Sequence, residues 1–436
     1  MHYNDLLKKI QSKTAVLGVV GLGYVGLPLA VEKAKAGYTV IGFDVQEQKV
    51  NLVNEGHNYI GDVVDSDLKK LVDEGKLSAR ANFADIAECD CVAICVPTPL
   101  DEYYQPDISY VESSAKSVAE YAHKGMLVVL ESTTYPGTTE EIIQPILEEK
   151  GFKVGEDIFL AFSPERVDPG NVVYKTKNTP KVVGGVTKEC GFLAEALYSS
   201  VIDGDIMRVS SPKVAEMEKI LENTFRNINI ALANEMAILC DRMGIPVWEV
   251  IDAAKTKPYG FMAFYPGPGL GGHCIPIDPF YLTWKAREFN YHTRLIESAG
   301  EINNAMPEYC VDRVSRLLNR KVAKPLNGSR VVVLGIAYKP DIDDMRESPA
   351  LELIRLFKEQ GSDVVFNDPY NPHMKHKGIE MDSVELTDEL LKTADVVVIA
   401  TNHTVYDAAH IVETSKLVFD TRNLTKGIEA ENLERL

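Results

Sequence analysis

Residues 15–44 constrain the fold of this chain more than any other stretch. A short apolar run at 15–20 precedes Gly21-Leu-Gly-Tyr-Val-Gly26, which leads into a helical segment ending near Gly37. A second apolar run follows at 39–43 and ends in Asp44. The order strand, G-x-G-x-x-G, helix, strand, acid is typical of a dinucleotide-binding βαβ unit. The glycines make the turn and let a pyrophosphate approach the helix amino terminus.

This pattern also predicts the cofactor. Asp44 stands where a carboxylate accepts hydrogen bonds from the adenosine ribose hydroxyls. Neither Arg nor Lys immediately follows it to pair with a 2′-phosphate, which favours NAD over NADP. The residues predicted to hold NAD in this region are Gly21, Gly23, Tyr24, Val25, Gly26, Asp44 and Lys49.

The βα alternation continues through the first half of the chain. Apolar runs at 91–96, 126–130 and 158–162 predict three further strands, each followed by polar residues. Ligands of open parallel sheets bind at the carboxyl ends of the strands. Thr98, Thr133 and Glu165 follow these three strands and are therefore candidate site residues.

A long helix is predicted from about Pro212 to Gly244, because the segment has good helix formers and no internal Gly or Pro. Lys219 and Asn223 are four residues apart and so project from the same face. Two interpretations stay open: a solvated lysine with helix-face amides, or a pair that stabilises an oxyanion or relays a proton. Residues 245–320 predict more helix and no domain-scale sheet.

The segment 265–278, Tyr-Pro-Gly-Pro-Gly-Leu-Gly-Gly-His-Cys-Ile-Pro-Ile-Asp, predicts a tight loop with an accessible backbone. It contains a second G-x-G-x-x-G, but no strand precedes it and Ile275-Pro276 stands where a helix should start. We therefore interpret it as a cradle for another ligand. It leads into Cys274, with Asp278 four residues later, which favours covalent chemistry on a ligand gripped by main-chain amides.

The last third predicts a second parallel βα unit. Strands are expected at 330–334, 363–366, 394–400 and 417–420, and the glycine pattern after the first of them is reduced to Gly335-Ile-Ala-Tyr-Lys. Lys339 and Arg346 fall in that post-strand loop. Either cation alone could be a surface charge, whereas the pair favours a nucleotide diphosphate as ligand.

The length, net charge and cysteine content of the chain limit its possible domain count, partners and location. A chain of 436 residues is expected to form two or three domains. The net charge of −18 argues against nucleic acid or an anionic membrane as the main partner. No apolar run reaches membrane-spanning length, and seven scattered cysteines fit a reducing cytoplasm. Cys89, Cys91 and Cys95 are close enough in sequence to suggest a metal site. They fall in an apolar run, however, and are therefore interpreted as buried core residues.

Together these parts predict an α/β protein with two Rossmann-like, doubly wound parallel-sheet domains. A long central helix and an all-α dimerisation segment join them. A nucleophilic cysteine beside NAD implies that an aldehyde is captured as a thiohemiacetal, oxidised to a thioester and released as an acid by water. An alcohol dehydrogenase that stops at the carbonyl does not need this thiol.

Seven motifs resemble the UDP-glucose/GDP-mannose dehydrogenase family over nearly the full length of the chain. They are GLGYVGLP at 21–28, VPTP at 96–99, STTYPG at 132–137, SPER at 163–166, Lys219 with Asn223, GGHCIPID at 271–278 and YKPDIDDMRESP at 338–349. The resemblance implies two NAD-linked oxidations of a sugar C6 hydroxyl to a carboxylate, with Cys274 as thioester nucleophile.

The resemblance also implies roles for individual residues. The catalytic set is Cys274, Lys219, Asn223, Asp278, Glu165 and Thr133, with Glu165 as base for thioester hydrolysis. Thr98, Thr133 and Arg346 are implied on the cofactor side. The substrate side comprises Glu165, Arg166, Lys219, Asn223, Phe264, Tyr265, Gly267, Gly271, Tyr338 and Lys339. No metal is implied, and a UDP-sugar is the expected partner.

Two departures bear on the substrate. Ile277 replaces the lysine typical of the UDP-glucose branch, and Pro169 replaces a second glutamate of that branch. The segments 163–171, 180–185 and 271–288 look most like UDP-N-acetylglucosamine 6-dehydrogenases. UDP-N-acetylmannosamine dehydrogenase is the close alternative and UDP-glucose the third.

The expected domains are an NAD domain at 1–210, a central helical and dimerisation domain at 211–320, and a UDP-sugar domain at 321–436. A cytoplasmic homodimer or higher homo-oligomer is expected. Two alternative classes are an NAD-sensing scaffold with a relic site, and a hydroxyacid dehydrogenase of the 6-phosphogluconate type. The second would not require Cys274 or the second βα domain.

Overall fold

The computed structural model describes residues 2–61, 63–101, 103–168, 171 and 173–436. The chain forms two compact units. The first comprises Met1–Glu222 and Trp284–Asn290, and the second comprises Asn223–Thr283 and Tyr291–Leu436. The predicted α/β class is confirmed, because each unit contains a wholly or mainly parallel sheet covered by helices.

The sheet of the first unit has eight strands in the order β3-β2-β1-β4-β5-β6-β7-β8. Neighbouring strands are parallel except for β6 and β7, which are antiparallel. The bounds are β1 Val16–Val20, β2 Thr39–Phe43, β3 Leu77–Arg80, β4 Cys91–Ile94, β5 Leu127–Leu130, β6 Phe159–Phe162, β7 Lys181–Gly185 and β8 Ile206–Val209. The order reverses at β1, so the crevice beside its carboxyl end is the expected ligand position.

Helices cover both faces of this sheet. Their bounds are α1 His2–Gln11, α2 Gly26–Lys35, α3 Glu47–Glu55, α4 Asp65–Asp73, α5 Ser109–Tyr121, α6 Gln144–Glu149 and α7 Lys188–Ser199. Successive side chains of β1 alternate between two cores. Val19 packs in the cluster that contains α2 and α7, and Val20 packs in the cluster that contains α5.

The predicted long helix is confirmed as α8, Pro212–Met243, which runs for 32 residues. The helix is followed by Gly244, whose φ of 69° is the left-handed conformation that favours glycine after a helix. The first unit contains the start of α8 and the second unit contains the rest.

The second unit continues with α9 Val247–Ala254, α10 Asp278–Ala286 (whose last residues belong to the first unit) and α11 Arg294–Leu317. Its sheet has the order β10-β9-β13-β14-β15, with every pair of neighbours parallel. The remaining bounds are β9 Arg330–Leu334, α12 Pro349–Glu359, β10 Asp363–Asn367, β11 His373–His376, β12 Ile379–Asp382, α13 Asp388–Thr393, β13 Val396–Ile399, α14 Ala408–Thr414, β14 Val418–Asp420 and β15 Leu433–Arg435. The second parallel βα unit is therefore present.

Within the described residues, no helix has both the length and the apolar character needed to cross a bilayer. The same residues contain no group of three His, Cys, Asp or Glu side chains arranged to hold a metal. Cys89, Cys91 and Cys95 are buried in the first unit, as the core interpretation predicts. Burial raises the pKa of Cys89 to about 12, so this thiol stays protonated at neutral pH.

Candidate active site

The turn between β1 and α2 has the geometry of a pyrophosphate cradle. Gly21 adopts a φ of 91° and its N–H donates to Phe43 O at 2.7 Å, which ties the turn to β2. A methyl group on Gly26 would overlap the carbonyl of Gly21, whereas one on Gly23 would meet no atom within 4 Å. The close approach at Gly26 packs the helix against the turn, and Gly23 leaves open space beside the backbone.

Asp44 follows β2 and is 7% exposed. Its carboxylate accepts hydrogen bonds from Leu22 N and Gln46 N, both at 2.9 Å, and lies 3.7 Å from Lys49 Nζ. A carboxylate offers about four acceptor positions, so two remain for ribose hydroxyls. The turn and Asp44 therefore fit the adenosine and pyrophosphate parts of a dinucleotide. Tyr24 is 42% exposed beside this turn, and Val25 directly precedes α2.

The loops after β4 and β5 are joined by two threonines that the sequence singled out. Thr98 Oγ1 donates to Thr133 O at 2.6 Å. The following loop is fixed to α8, because the buried Glu216 carboxylate accepts hydrogen bonds from Thr139 N at 2.9 Å and from Gly137 N at 2.5 Å. Burial raises the pKa of Glu216 to about 7. The start of α8 thus orders the segment that carries Thr133.

Glu165 and Lys219 are in contact through the main chain of Glu165. Lys219 is 7% exposed, and its Nζ donates to Glu165 O at 2.6 Å. The Glu165 Oε1 atom accepts hydrogen bonds from Arg166 N and Val167 N at 2.8 and 2.9 Å. The interpretation of Lys219 as a solvated lysine is wrong for this chain, because the side chain is buried.

The guanidinium of Arg166 contacts other residues of the first unit. It forms an ion pair with Glu222, lies 3.5 Å from Glu218 and donates to Pro180 O at 3.1 Å. These contacts hold the segment after β6 against α8. A substrate role for Arg166 stays a prediction. Pro169, the position that departs from the UDP-glucose branch, lies outside the described residues.

In the second unit, Cys274, Asn223 and Asp278 lie together. Asn223 Nδ2 donates to Asp278 Oδ2 at 2.6 Å, and both side chains are nearly buried. The N–H groups of Ile277 and Asp278 donate to Cys274 O at 3.1 and 2.8 Å, which makes the turn that begins α10. Cys274 is partly exposed, while the other six cysteines of the chain are buried. Cys274 is therefore the most accessible of the seven thiols.

The remaining amides of α8 hold the glycine-rich loop. Asn227 Nδ2 donates to Ile275 O at 3.0 Å. Asn234 accepts from Gly267 N at 3.0 Å and donates to Asn303 at 2.9 Å. Asn227 and Asn234 are thus structural anchors for the cysteine loop. Asn229 instead donates to Phe225 O on the more exposed side of the helix.

Aromatic rings and one arginine border the glycine-rich loop. The Phe264 ring meets the Phe225 ring edge to face at 5.7 Å, and Tyr265 stacks on Trp248 at 6.0 Å. A methyl group on Gly271 or Gly272 would contact Tyr338, which explains why both positions are glycine. One on Gly267 would overlap the guanidinium of Arg422.

No sequence pattern singles out Arg422. It follows β14 at the carboxyl edge of the second sheet, two residues after Asp420. Burial lowers the pKa of Arg422 to about 10, so it remains a cation at neutral pH beside the loop. The position after a parallel strand was the signal that could have found it.

The turn after β9 resembles the turn after β1 in its backbone, but its acidic residue has different partners. Gly335 N donates to Asn367 O at 2.8 Å, as Gly21 N does to Phe43 O in the first sheet. The counterpart of Asp44 is Asp368, and it is already surrounded by protein donors. They are Ile336 N, Ala337 N, Tyr370 N, Asn371 N and His403 Nε2.

Burial opposes ionisation of Asp368, but hydrogen bonds from His403 and the backbone outweigh it and lower its pKa to about 2. Its acceptor positions are filled, so ribose hydroxyls cannot use them.

Lys339 and Arg346 lie in the loop between β9 and α12, both half-buried. Arg346 donates to Asp344 through two nitrogens at 2.8 and 2.6 Å, a bidentate arrangement that fixes the guanidinium. Gly272 N donates to Arg346 O at 3.3 Å, so this loop also contacts the cysteine loop. Which ligand Lys339 and Arg346 bind stays a prediction.

Comparison with protein families gives three matches along the chain. Residues 15–202 match the NAD binding domain of the UDP-glucose/GDP-mannose dehydrogenase family. Residues 213–305 match the central domain of that family, and residues 332–427 match its UDP binding domain.

Individual relatives are similar over most of their length. A UDP-N-acetyl-D-glucosamine 6-dehydrogenase of Pseudomonas aeruginosa is 39% identical over 360 residues, 82% of this chain and 83% of the relative. An NDP-N-acetyl-D-galactosaminuronic acid dehydrogenase of Ralstonia solanacearum is 36% identical over 96% of this chain and 98% of the relative. The solved structure of a UDP-D-ManNAc dehydrogenase from Pyrococcus horikoshii superposes with a TM-score of 0.88 at 34% identity, covering 96% of this chain and 98% of that one.

Proposed function

Since the chain belongs to the UDP-glucose/GDP-mannose dehydrogenase family and is an NAD-dependent nucleotide-sugar 6-dehydrogenase, we propose that it oxidises a UDP-N-acetylhexosamine to the uronic acid. UDP-N-acetylglucosamine is the first choice of substrate. The relative with 39% identity carries that name, and Ile277 stands where the UDP-glucose branch typically has lysine. UDP-N-acetylmannosamine is the alternative, because the solved UDP-D-ManNAc dehydrogenase of Pyrococcus horikoshii is similar to this chain over nearly its full length. UDP-glucose is the third choice. The product would serve surface polysaccharide biosynthesis.

The observation that carries the chemical part of the proposal is the exposure of Cys274 beside the buried Asn223–Asp278 pair. When bound, NAD supplies a hydride acceptor for each of two oxidation steps. The first step converts the C6 hydroxyl to an aldehyde, with its proton leaving to a base. Lys219 and Asn223 are assigned to stabilise the oxyanion, and Asp278 to handle the proton through water.

In the second half of the reaction, the Cys274 sulfur adds to the aldehyde carbon and gives a thiohemiacetal. Loss of the carbon-bound hydrogen as hydride leaves a thioester on Cys274. Water then adds to the thioester carbonyl, a proton passes to Glu165, and the C–S bond breaks to release the acid and the thiolate. Thr133 is assigned to position the water.

Binding roles are proposed for the other predicted residues. Gly21, Gly23, Gly26, Asp44, Lys49 and Thr98 would hold NAD. Phe264, Gly267, Gly271, Tyr338 and Lys339 would hold the UDP-sugar, together with Arg422. The proposed domains remain 1–210, 211–320 and 321–436, and a homodimer is proposed for the assembly.

A panel of UDP-sugars tests the substrate. NADH formation would be measured with UDP-N-acetylglucosamine, UDP-N-acetylmannosamine, UDP-N-acetylgalactosamine and UDP-glucose at equal concentrations. We expect kcat/KM for UDP-N-acetylglucosamine to exceed that for UDP-glucose by at least about tenfold, because a pocket that hydrogen-bonds an acetamido group rejects an analogue without it. A higher value with UDP-glucose would contradict the proposal, and a higher value with UDP-N-acetylmannosamine would replace the first choice within the class.

A further inference from the structure

The first unit contains a cluster of buried charged side chains that contacts the segment carrying Glu165. Lys181, the first residue of β7, is 4% exposed, and Glu131, which follows β5, is 1% exposed. Their side chains form an ion pair at 2.7 Å. Tyr198 on α7 is fully buried, and its hydroxyl donates to the other oxygen of Glu131. Long charged side chains are rarely buried this far unless they are paired.

Lys181 also contacts the segment that carries Glu165. Its Nζ donates to Pro164 O at 3.0 Å, and it lies 3.7 Å from Glu165 Oε2. The second distance is too long for a hydrogen bond, so the ammonium acts on this oxygen mainly through its charge. Oε1 is held by two backbone N–H groups, which leaves Oε2 as the oxygen that Lys181 faces.

Other ionisable groups also act on Glu165. They are Lys219, Arg166, Cys95 and Tyr198, while Glu131 and the buried Lys33 act on Lys181. Lys219 is bonded to the main-chain carbonyl and Arg166 is paired with Glu222, while Cys95 and Tyr198 are buried with raised pKa values. Burial opposes the charge of Lys181, but the Glu131 and Glu165 carboxylates outweigh it and raise the pKa of Lys181. Lys181 is therefore a permanent cation at neutral pH.

We propose that Lys181 is a positioning residue for Glu165: Glu131 anchors its ammonium, which fixes the chain at Pro164 and places a positive charge 3.7 Å from Glu165 Oε2. This rests on the proposed role of Glu165 as the base that takes a proton from the hydrolytic water. A carboxylate must be ionised to accept that proton, and a cation within about 4 Å favours the ionised form. Glu131 and Tyr198 act only through Lys181 and do not take part in the reaction.

Lys181→Met tests this by removing the cation and keeping an apolar chain of similar length. The rate at which the enzyme-bound thioester decays would be followed by acid quench and intact mass from about pH 5 to about pH 9. We expect the acid limb of that profile to move up by at least about one pH unit, with thioester accumulating at neutral pH. Lys181→Arg is expected to bring the limb back toward the native position, because it retains the charge.

Tyr198→Phe is the matched control. It removes a hydrogen bond from the same Glu131 carboxylate but leaves the charge beside Glu165, so the acid limb should stay where it is in the native enzyme. If Lys181→Met leaves Glu131 unpaired and does not fold, Glu131→Gln combined with Lys181→Met removes both charges and is expected to shift the limb in the same direction.

A folded variant without Lys181 whose acid limb matches the native one would overturn the proposal, as would an equal shift in Tyr198→Phe. The native enzyme is first shown to form two NADH per sugar and a thioester. Failure there would count against the proposed function itself, whereas failure in the variants alone counts against the role of Lys181.

Discussion

Cys274→Ala is expected to abolish acid formation, lowering the rate of the complete oxidation by at least about a thousandfold. Without the thiol, the aldehyde cannot be held as a thiohemiacetal and no thioester forms. NAD affinity, measured by calorimetry, should be unchanged, because the variant keeps the Gly21–Gly26 turn and Asp44, which are proposed to hold NAD. The product would be analysed for acid and aldehyde by mass spectrometry.

The chain offers controls for this variant. Cys240→Ala removes a sulfur from α8 where it is 3% exposed, so it should cost about 1 kcal/mol of stability while acid is still produced. Cys274→Ser should form an ester in place of a thioester, and hydrolysis of that ester is expected to be slow. Full conversion of the sugar to acid by Cys274→Ala would show that the thioester mechanism does not operate here.

The second large effect is expected from the glycine turn. Gly26→Ala places a methyl group against the Gly21 carbonyl, so the turn between β1 and α2 has to move. We expect a marked fall in the thermal unfolding temperature and loss of NAD binding. A backbone clash of this kind belongs to the class of substitutions that cost several kcal/mol.

Gly23→Ala is the paired variant, because its methyl group would meet no protein atom within 4 Å. Its unfolding temperature should stay near the native value, while the affinity for NAD falls by at least about tenfold, since the second glycine of the motif lets the pyrophosphate approach the backbone. Native NAD affinity in Gly23→Ala would contradict the placement of the pyrophosphate. Native stability in Gly26→Ala would contradict the packing of the turn.

Local patterns in the sequence predicted a large part of this molecule. The strand, glycine turn, helix, strand and acid at 15–44 are adjacent in the chain, so their arrangement follows from local rules, and the turn and Asp44 were placed correctly. The long α8 was predicted for the same reason, because helix formation depends on neighbouring residues.

Contacts between distant residues were not predictable in this way. β3, β7 and β8 were not predicted, because none of them is a continuous apolar run. β3 and β8 are partly exposed, and β7 has only Val182 and Val183 between a lysine and two glycines. β7 also runs antiparallel to β6, which βα alternation does not suggest. The burial of Lys181 depends on Glu131, fifty positions away, so nothing local marks this lysine as a core residue.

The amides of α8 show the same limit at the candidate site. Spacing along one helix could not separate a solvated face from one with partners inside the protein. The structure separates them through partners far along the chain: Asp278 for Asn223, Ile275 for Asn227 and Gly267 for Asn234. Arg422 was overlooked because a single arginine in a loop carries no pattern, and only its contact with the Gly267 backbone distinguishes it.

A four-electron oxidation through a thioester on Cys274 is tested by counting the NADH formed per sugar. A limiting, weighed amount of UDP-N-acetylglucosamine, or of the panel member with the highest kcat/KM, would be converted to completion with excess NAD. We expect two NADH per sugar and a UDP-uronic acid as the product. One NADH per sugar with a released carbonyl product would contradict it.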